Sequence, residues 1–191
     1  MIIRLSDCPS QPWKNGLGST REMAVHPPGA GSDDFLWRVS IAEVDSAAPF
    51  SRFPGIDRQI ALLDGNGFTM TLDDGRIHPL TTPFAPFAFA GETKVAVNLV
   101  DGPTRDFNLM VRREHARGEV LVWRGPGTHE PDPSSVLVYC ARSVIYSAEG
   151  PLHAGDAWRP SSASPVQLHL QHGALALVVR IERYAPGRSR A

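Results

Sequence analysis

The sequence predicts an all-β fold in which short strands form two packed sheets or a closed barrel. Seventeen glycines and seventeen prolines divide the 191-residue chain into short segments. Most of these segments are rich in valine, isoleucine, leucine, phenylalanine and threonine, the residues that strands favour. Ten segments have this pattern, which is more than one flat sheet holds comfortably, so two facing sheets or a barrel follow.

Each of the ten segments contains a predicted strand of four to eight residues between turn signals. In chain order they are FLWRVSIAEV (35–44), RQIALLDG (58–65), GFTMTLDDG (67–75), KVAVNLVDG (94–102), RDFNLMVRR (105–113), EVLVWRG (119–125), SVLVYCARS (135–143), VIYSAEG (144–150), VQLHLQH (166–172) and LALVVRIERY (175–184). Helix signals are weak, and only RREHARGE (112–119) has the charge pattern of a short helix.

The order of strands and turns repeats along the chain at an offset of about 76 residues, with TMTLDDGRIHPL echoed by SVIYSAEGPLHAGD. The hairpin segment PLHAGDAWRP (151–160) is similar to one in cupin barrels. A cupin is a double-stranded β-helix, a jelly roll of two antiparallel sheets. We therefore predict two cupin-like halves in one chain, a bicupin, divided into residues 1–113, which carry the ligand pocket, and residues 114–191, packed as one unit.

Composition excludes several classes of function. With 19 basic and 20 acidic residues the net charge is −1, so no global field favours nucleic acid or an anionic membrane. No apolar run approaches the roughly 20 residues that a membrane-spanning helix needs. The start MIIRLSDC has no signal-peptide pattern, and Cys8 and Cys140 lie far apart, so we expect a cytoplasmic protein.

Neither a metal site nor a catalytic nucleophile is indicated. Metal-dependent cupins place histidines and a glutamate on one face, whereas His169 and His172 are three residues apart and would point to opposite faces of a strand. No GxSxG elbow occurs, and Cys140 lies in an apolar run that predicts a buried, inert thiol. We predict no metal ligand, no catalytic residue and no cofactor.

Polar side chains accumulate in segments that would otherwise be ordinary strands. The segment WKNGLGSTRE (13–22) predicts a tight turn at Gly16 and Gly18, which permit backbone conformations closed to other residues, followed by a strand. Strand alternation places Thr20 with Glu22, and Arg38 with Ser40. If these polar side chains lie together at one end of a barrel, they form a pocket that can bind a particular small ligand. The candidate ligand-binding residues are Trp13, Lys14, Asn15, Thr20, Glu22, Arg38, Ser40, Arg58, Asp106 and Asn108.

An arginine in such a pocket suits a carboxylate, because the planar guanidinium gives two parallel hydrogen bonds. Glutamate and asparagine side chains pair with an amide, an imine or an imidazole N–H, so the pocket suits a small acid with a polar far end. Trp13 is a candidate for stacking on a flat ring, and Trp37 is predicted to belong to the core. The alternative is that these polar groups form the solvated face of the sheet, with exposed ion pairs of little energetic value.

Five stretches give the chain a resemblance to the HutD/Ves family, whose members are of the bicupin type. They are PWKNGLGSTREMAVHPPG, WRVSIAEV, PFSRFPGIDRQIALLDG, FAFAGE and DGPTRDFNLMVRR, and together they cover most of residues 10–113. The resemblance implies a small-ligand-binding protein that limits or regulates histidine utilisation. It also implies a ligand of the urocanate, formylglutamate or formiminoglutamate type, and no established catalytic activity.

We therefore predict a binder of a carboxylate-bearing histidine-degradation intermediate rather than an enzyme. One alternative is a cupin enzyme, an isomerase or hydrolase that acts with or without a metal ion and uses Glu22 or Asp106 as a general acid or base on a related acid. Another is a structural protein whose barrel is filled by side chains. The expected partner is a small carboxylate, not nucleic acid or membrane. Monomer and homodimer both stay open, because edge strands can still pair.

Overall fold

β-Strands make up nearly all the regular structure of this chain in a computed structural model, which describes residues 1–160 and 166–185. The described residues contain one short 3-10 turn, Leu5–Asp7. Their strands are β1 (Ile2–Ile3), β2 (Ser10–Pro12), β3 (Gly18–His26), β4 (Trp37–Val44), β5 (Ile56–Asp64), β6 (Phe68–Leu72), β7 (Ile77–Leu80), β8 (Phe87–Ala90), β9 (Val95–Leu99), β10 (Thr104–Arg112), β11 (Ala116–Arg124), β12 (Gly127–His129), β13 (Ser135–Arg142), β14 (Val144–Ser147), β15 (Gly150–His153), β16 (Ala157–Trp158), β17 (Leu168–Leu170) and β18 (Leu175–Arg183). The predicted all-β class is confirmed.

The chain divides into two compact units. Among the described residues, the first unit, called here the cavity unit, comprises residues 9–117 and 183–185. The second, called here the C-terminal unit, comprises residues 1–8, 118–160 and 166–182. The first eight residues belong with the later part of the chain because Ile2 and Ile3 of β1 pair with Trp158 and Ala157 of β16. The sequence prediction had assigned them to the half that ends at residue 113.

Two antiparallel sheets build the cavity unit. The larger has six strands in the order β2-β3-β4-β10-β5-β8, and the smaller has three in the order β7-β6-β9. Apolar side chains from both sheets pack into one core cluster that includes Ile60 and Leu62 from β5 and Phe68 and Met70 from β6. This burial accounts for the valine-, leucine- and phenylalanine-rich alternation in the sequence, since one face of each strand must leave water.

The C-terminal unit repeats this plan with a five-stranded sheet, β1-β16-β13-β18-β11, and a four-stranded sheet, β12-β17-β14-β15. Its core includes Val138, Cys140 and Trp158 from the larger sheet and Ile145 and Leu168 from the smaller one. Residues 161–165 and 186–191, which the sequence prediction assigned to the C-terminal half, lie outside the described residues.

The predicted helix at residues 112–119 is wrong. β10 ends at Arg112, a three-residue turn follows, and β11 begins at Ala116. The His115 amide donates to the Arg112 carbonyl at 3.1 Å, which closes the turn. Two long strands on either side leave too few residues to nucleate a helix, so sheet pairing overrides the charge pattern. No helix in the described part of the chain combines the length and apolar character needed to cross a membrane.

Candidate ligand-binding site

A cavity of about 560 Å³ lies on one face of the six-stranded sheet of the cavity unit. Polar and apolar side chains from β2, β3, β4, β5 and β10 line it, together with residues from the loops between β2 and β3 and between β4 and β5. The lining residues are Gln11, Pro12, Trp13, Lys14, Asn15, Thr20, Arg38, Ser40, Ala42, Val44, Pro49, Phe50, Ser51, Phe53, Arg58, Ile60, Asp106, Asn108 and Met110.

Strand register explains why these side chains meet. On β4, every second residue from Arg38 to Val44 faces the cavity, as strand alternation requires. Across the sheet, Met110 of β10 lies opposite both Arg38 and Arg58, so the two arginines flank one central strand. The next rows place Ser40 opposite Asn108, and Ala42 opposite Asp106. Residues from distant parts of the sequence thus form one polar floor.

Nine of the ten residues predicted to bind ligand belong to this lining, and Glu22 does not. The nine are Trp13, Lys14, Asn15, Thr20, Arg38, Ser40, Arg58, Asp106 and Asn108. Glu22 instead accepts a hydrogen bond from Arg38 Nε at 2.8 Å, so its carboxylate orients one of the two arginines. The solvated-face alternative fits Ser19 and Arg21, which point the other way and meet Glu43. Trp37 is buried, as predicted for a core residue.

Arg58 is a buried cation without an acidic partner among the described residues. Its residue is 6% exposed, and burial together with the nearby charge of Arg38 lowers its pKa to about 10. One guanidinium nitrogen, Nη2, donates to Asn108 Oδ1 at 3.0 Å, whereas Nε has no hydrogen-bond acceptor in the described chain. Because a buried charge is costly unless it is paired, Arg58 is suited to an anion that enters the cavity.

Aromatic rings hold the Arg58 guanidinium in place. Its central carbon lies 5.1 Å from the ring centroid of Phe50, 5.7 Å from that of Phe53 and 4.9 Å from that of Phe89. These contacts offset part of the cost of burying the charge. They also restrict the side chain, so the entropy of ordering it is lost on folding and not on ligand binding.

Asp106 is the most deeply buried polar residue of the floor. Its residue is fully buried, and neither carboxyl oxygen has a hydrogen-bond donor among the described residues. Burial raises the pKa of Asp106 to about 8, while the Thr104 hydroxyl nearby lowers it and the Asp64 carboxylate raises it further. The Thr104 hydroxyl itself donates to the Asp64 carbonyl at 3.1 Å. At neutral pH the Asp106 side chain is therefore mainly a neutral carboxylic acid.

The turn at the start of the WKNGLGSTRE segment positions Trp13 against the strand that follows. Trp13 Nε1 donates to Thr20 Oγ1 at 2.8 Å, and the Trp13 amide donates to the Gly18 carbonyl at 2.9 Å. Gly16 has φ +70, the left-handed conformation that the sequence predicted. Gly18 is needed for a different reason: a Cβ there would lie 2.4 Å from the Glu43 carbonyl oxygen and 2.9 Å from the Trp13 ring.

Sequence reasoning missed one wall of the cavity, the loop between β4 and β5. Pro49, Phe50, Ser51 and Phe53 line the cavity from this loop. Backbone hydrogen bonds anchor the loop, because the Phe50 amide donates to the Val95 carbonyl at 3.1 Å and the Phe53 amide donates to the Gly91 carbonyl at 2.8 Å. The available signal was a pair of phenylalanines between prolines in the segment PFSRFPG, where apolar side chains need a specific packing partner.

The cavity residues do not fit a metal ion of the kind that many cupin barrels hold. Hard divalent cations prefer several carboxylates, and transition metals prefer histidine or cysteine. The lining has one carboxyl group, Asp106, and three cationic side chains, Lys14, Arg38 and Arg58. Within the described residues, no group of three or more histidine, cysteine, aspartate or glutamate side chains is placed to bind a metal.

Cys140 lies outside the cavity, in the core of the C-terminal unit. The residue is fully buried, and burial raises the pKa of its thiol to about 12. A thiol with such a pKa is protonated and unreactive at neutral pH. This confirms that Cys140 is buried, as predicted.

The fold and the cavity define a cupin-fold protein, a double-stranded β-helix with a polar cavity on one sheet. Structures with little sequence identity share the fold: YlbA from Escherichia coli superposes with a TM-score of 0.71 at 9% identity, covering 98% of this chain and 92% of that one. A cupin 2 conserved barrel domain protein from Leptotrichia buccalis gives 0.59 at 9% identity, covering 95% of this chain and 96% of that one.

The chain belongs to the HutD family, whose family model matches residues 5–178. It is similar to the structure of HutD from Pseudomonas fluorescens SBW25 (formate condition), with a TM-score of 0.83, 29% identity, and coverage of 97% of this chain and 99% of that one. An uncharacterised 21.2 kDa protein in the hutC 3′ region of Pseudomonas putida is 38% identical over 144 residues, 75% of each chain. Protein Ves of Cronobacter sakazakii is 44% identical over 111 residues, 58% of this chain and 59% of that one.

Proposed function

We propose that the cavity binds a small organic acid through a carboxylate that pairs with Arg58, and that this binding limits or regulates histidine utilisation. The observation that carries the proposal is the buried Arg58 guanidinium, whose Nε lacks an acceptor among the described residues. No described residue of the cavity unit gives Arg58 a negatively charged partner or gives its Nε a hydrogen-bond acceptor. An anion bound at Arg58 would supply both.

The charges around the cavity favour an anion. Arg38 and Arg58 face the same space, and the positive charge of Arg38 contributes to the lowered pKa of Arg58. Lys14 adds a third cation at the lining. Glu22 pairs with Arg38, and Asp106 is mainly neutral at pH 7, so the positive charges exceed the negative ones. Electrostatic complementarity of this kind selects the charge of a ligand and speeds its capture.

The size and the remaining lining favour a small acid with a polar far end. A volume of about 560 Å³ lies in the range typical of small-molecule sites. Thr20 on β3 and Ser40 on β4 offer hydroxyl groups, Asn108 offers an amide beside Arg58, and Phe50 and Phe53 offer flat apolar surface. Urocanate, formylglutamate and formiminoglutamate each combine a carboxylate with an amide-like or imidazole group. Membership of the HutD family supports ligands of this kind and the link to histidine utilisation.

A thermal-shift titration tests the proposal. Urocanate, formylglutamate and formiminoglutamate are each compared with the amide formed from their carboxylate groups and with inorganic sulfate. A ligand that binds only the folded protein stabilises it by about 2.7 kcal/mol at a hundredfold excess over Kd, which raises Tm by about 5 °C or more for a chain of this size. At least one acid is expected to give this shift, and its amide is not. If no acid raises Tm by more than sulfate does, the proposed function is wrong.

Turnover of the bound acid is the second candidate function, and Asp106 is the observation that favours it. A buried carboxyl with a pKa of about 8 in a cavity is suited to exchange a proton with a ligand. Glu22 is a weaker candidate for this role because it is engaged with Arg38. Chromatography of the acid after prolonged incubation separates the two functions: a binder returns it unchanged, and an enzyme returns a product.

A further inference from the structure

The Asp106 carboxyl group makes no ion pair among the described residues, and the nearby Thr104 hydroxyl donates to the Asp64 carbonyl instead. Both of its oxygens are buried and lack a hydrogen-bond donor, although the side chain borders the cavity. Burying a polar group without a partner costs about 1–3 kcal/mol, and an apolar residue would fill the same position without that cost. The polar partner that compensates for the burial is therefore expected in the cavity.

Charged groups face this carboxyl from several elements. Arg58 lies on β5, Arg38 on β4 is paired with Glu22 of β3, and Lys14 lies in the turn before β3. Asp64, near the end of β5, adds a negative charge that disfavours ionisation of Asp106. Arg58 donates to Asn108 and not to Asp106, so neither arginine neutralises the carboxyl group directly.

Asp106 and Asn108 are two residues apart on β10, and their side chains point to the same face of the sheet. This spacing separates them by roughly 7 Å along the strand. Because Asn108 contacts the Arg58 guanidinium, a ligand carboxylate on Arg58 places the opposite end of a small acid near Asp106.

We propose that Asp106 binds the far end of the ligand as a neutral carboxylic acid, so that an anionic ligand enters together with a proton whenever Asp106 is ionised beforehand. This inference rests on the proposed function and names its ligand class: a carboxylate joined to an amide or an imidazole. The Asp106 O–H donates to the carbonyl or unprotonated nitrogen of that group, and the other carboxyl oxygen accepts its N–H.

The protonation state of Asp106 before binding determines whether binding takes up a proton. Above a pH of about 8, Asp106 is ionised, and an incoming carboxylate would add a second negative charge to the same cavity. Binding then forms an O–H bond on Asp106 with a proton taken from the buffer acid. Affinity is expected to fall by up to about tenfold per pH unit above this pKa, which is the limit when only the protonated form binds. The pKa of Arg58, about 10, lies above this range, so most of Arg58 stays charged through pH 9.5.

Calorimetric titration of the full chain with two probes tests the inference. The probes are 4-acetamidobutanoate, a flexible acid with an amide at its far end, and heptanoate, its hydrocarbon counterpart of equal chain length. We expect the amide probe to bind more tightly at pH 7 and to lose affinity between pH 8 and 9.5, with proton uptake visible as a difference between buffers of different ionisation enthalpy. Asp106→Asn, which keeps a donor and an acceptor, is expected to bind the amide probe at pH 7 and to remove both pH effects.

The possible results distinguish the claim about Asp106 from the claim that a carboxylate binds at Arg58. If acids bind but their affinity stays constant from pH 6 to 9.5 without proton uptake, the role of Asp106 is wrong and the carboxylate site stands. If neither probe, nor urocanate, binds at any pH, the proposed function and this inference fall together. If Asp106→Asn does not fold, proton uptake on binding still tests the role of Asp106, because it is measured with the unmodified protein.

Discussion

Replacing Arg58 with methionine is expected to weaken carboxylate binding by at least tenfold while making the ligand-free protein more stable. Methionine is similar in length, and its thioether packs well against the rings of Phe50 and Phe89. Burial lowers the pKa of Arg58 from 12.5 to about 10, so the folded protein binds this proton less strongly than the unfolded chain does. The charge therefore destabilises the fold at every pH below about 10, by roughly 3 kcal/mol.

Lost contacts offset part of that gain. The substitution removes the hydrogen bond to Asn108 and the contacts between the cation and the rings, worth together about 2 kcal/mol. A net increase of about 1 kcal/mol in the free energy of unfolding is expected in urea at pH 7. A residue that costs stability but confers binding is typical of a functional site.

Arg112→Met is the matched control for this prediction. Arg112 also lies over a phenylalanine ring, 6.0 Å from the centroid of Phe35, but it is not part of the cavity lining. Its guanidinium donates to the backbone carbonyls of Phe35 and Asp33, so its loss is expected to lower stability and to leave carboxylate affinity unchanged. Equal losses of affinity in the two variants, or a destabilised Arg58→Met, would count against a binding role for Arg58.

Asp106→Asn is expected to raise the free energy of unfolding by an amount that grows between pH 4 and pH 8. The folded-state pKa of Asp106, about 8, lies above its ordinary value of 3.8. As the pH rises through this interval the unfolded chain loses the proton while the folded protein keeps it, so stability is full below pH 4 and falls toward pH 8. Asparagine has no proton to lose, and the gain at pH 8 approaches roughly 5 kcal/mol as an upper limit.

Urea unfolding at pH 5, 6, 7 and 8 measures this difference. Asp74→Asn serves as the control, because Asp74 is exposed, pairs with Arg76 and does not contribute to the shifted pKa of Asp106, so its replacement is expected to leave the pH dependence of stability between pH 5 and pH 8 unchanged. If the free energies of unfolding of the unmodified protein and of Asp106→Asn change with pH in parallel, Asp106 is ionised in the folded protein. The claim that Asp106 is a neutral carboxylic acid would then be wrong.

Much of the fold could be predicted from the sequence, because a strand buried on one face alternates apolar and polar residues with a period of two. Each of the ten predicted segments overlaps an observed strand, including β4 within FLWRVSIAEV and β13 within SVLVYCARS. The helix predicted at residues 112–119 failed because local charge patterns carry no information about strands that pair far away in sequence. Residues 1–8 are a similar case, since β1 pairs with a strand that lies more than 150 residues away.

Part of the candidate site could also be predicted, because the same alternation indicates which side chains share a face of the sheet. Strand alternation correctly placed Arg38 with Ser40, and Asp106 with Asn108, on common faces. It could not show that Glu22 reaches Arg38, because side-chain contacts between strands depend on register and on the bulge between Glu22 and Ala24. The loop that carries Phe50 and Phe53 was missed because loops have no periodicity.

The most direct test of the central claim, that the polar floor of the six-stranded sheet holds a carboxylate at Arg58, is a crystal structure grown with the acid that raises Tm most. The account predicts a carboxylate oxygen within about 3 Å of Arg58 Nε and the opposite end of the ligand beside Asp106. An acid bound elsewhere, with Arg58 Nε still lacking an acceptor, would contradict it.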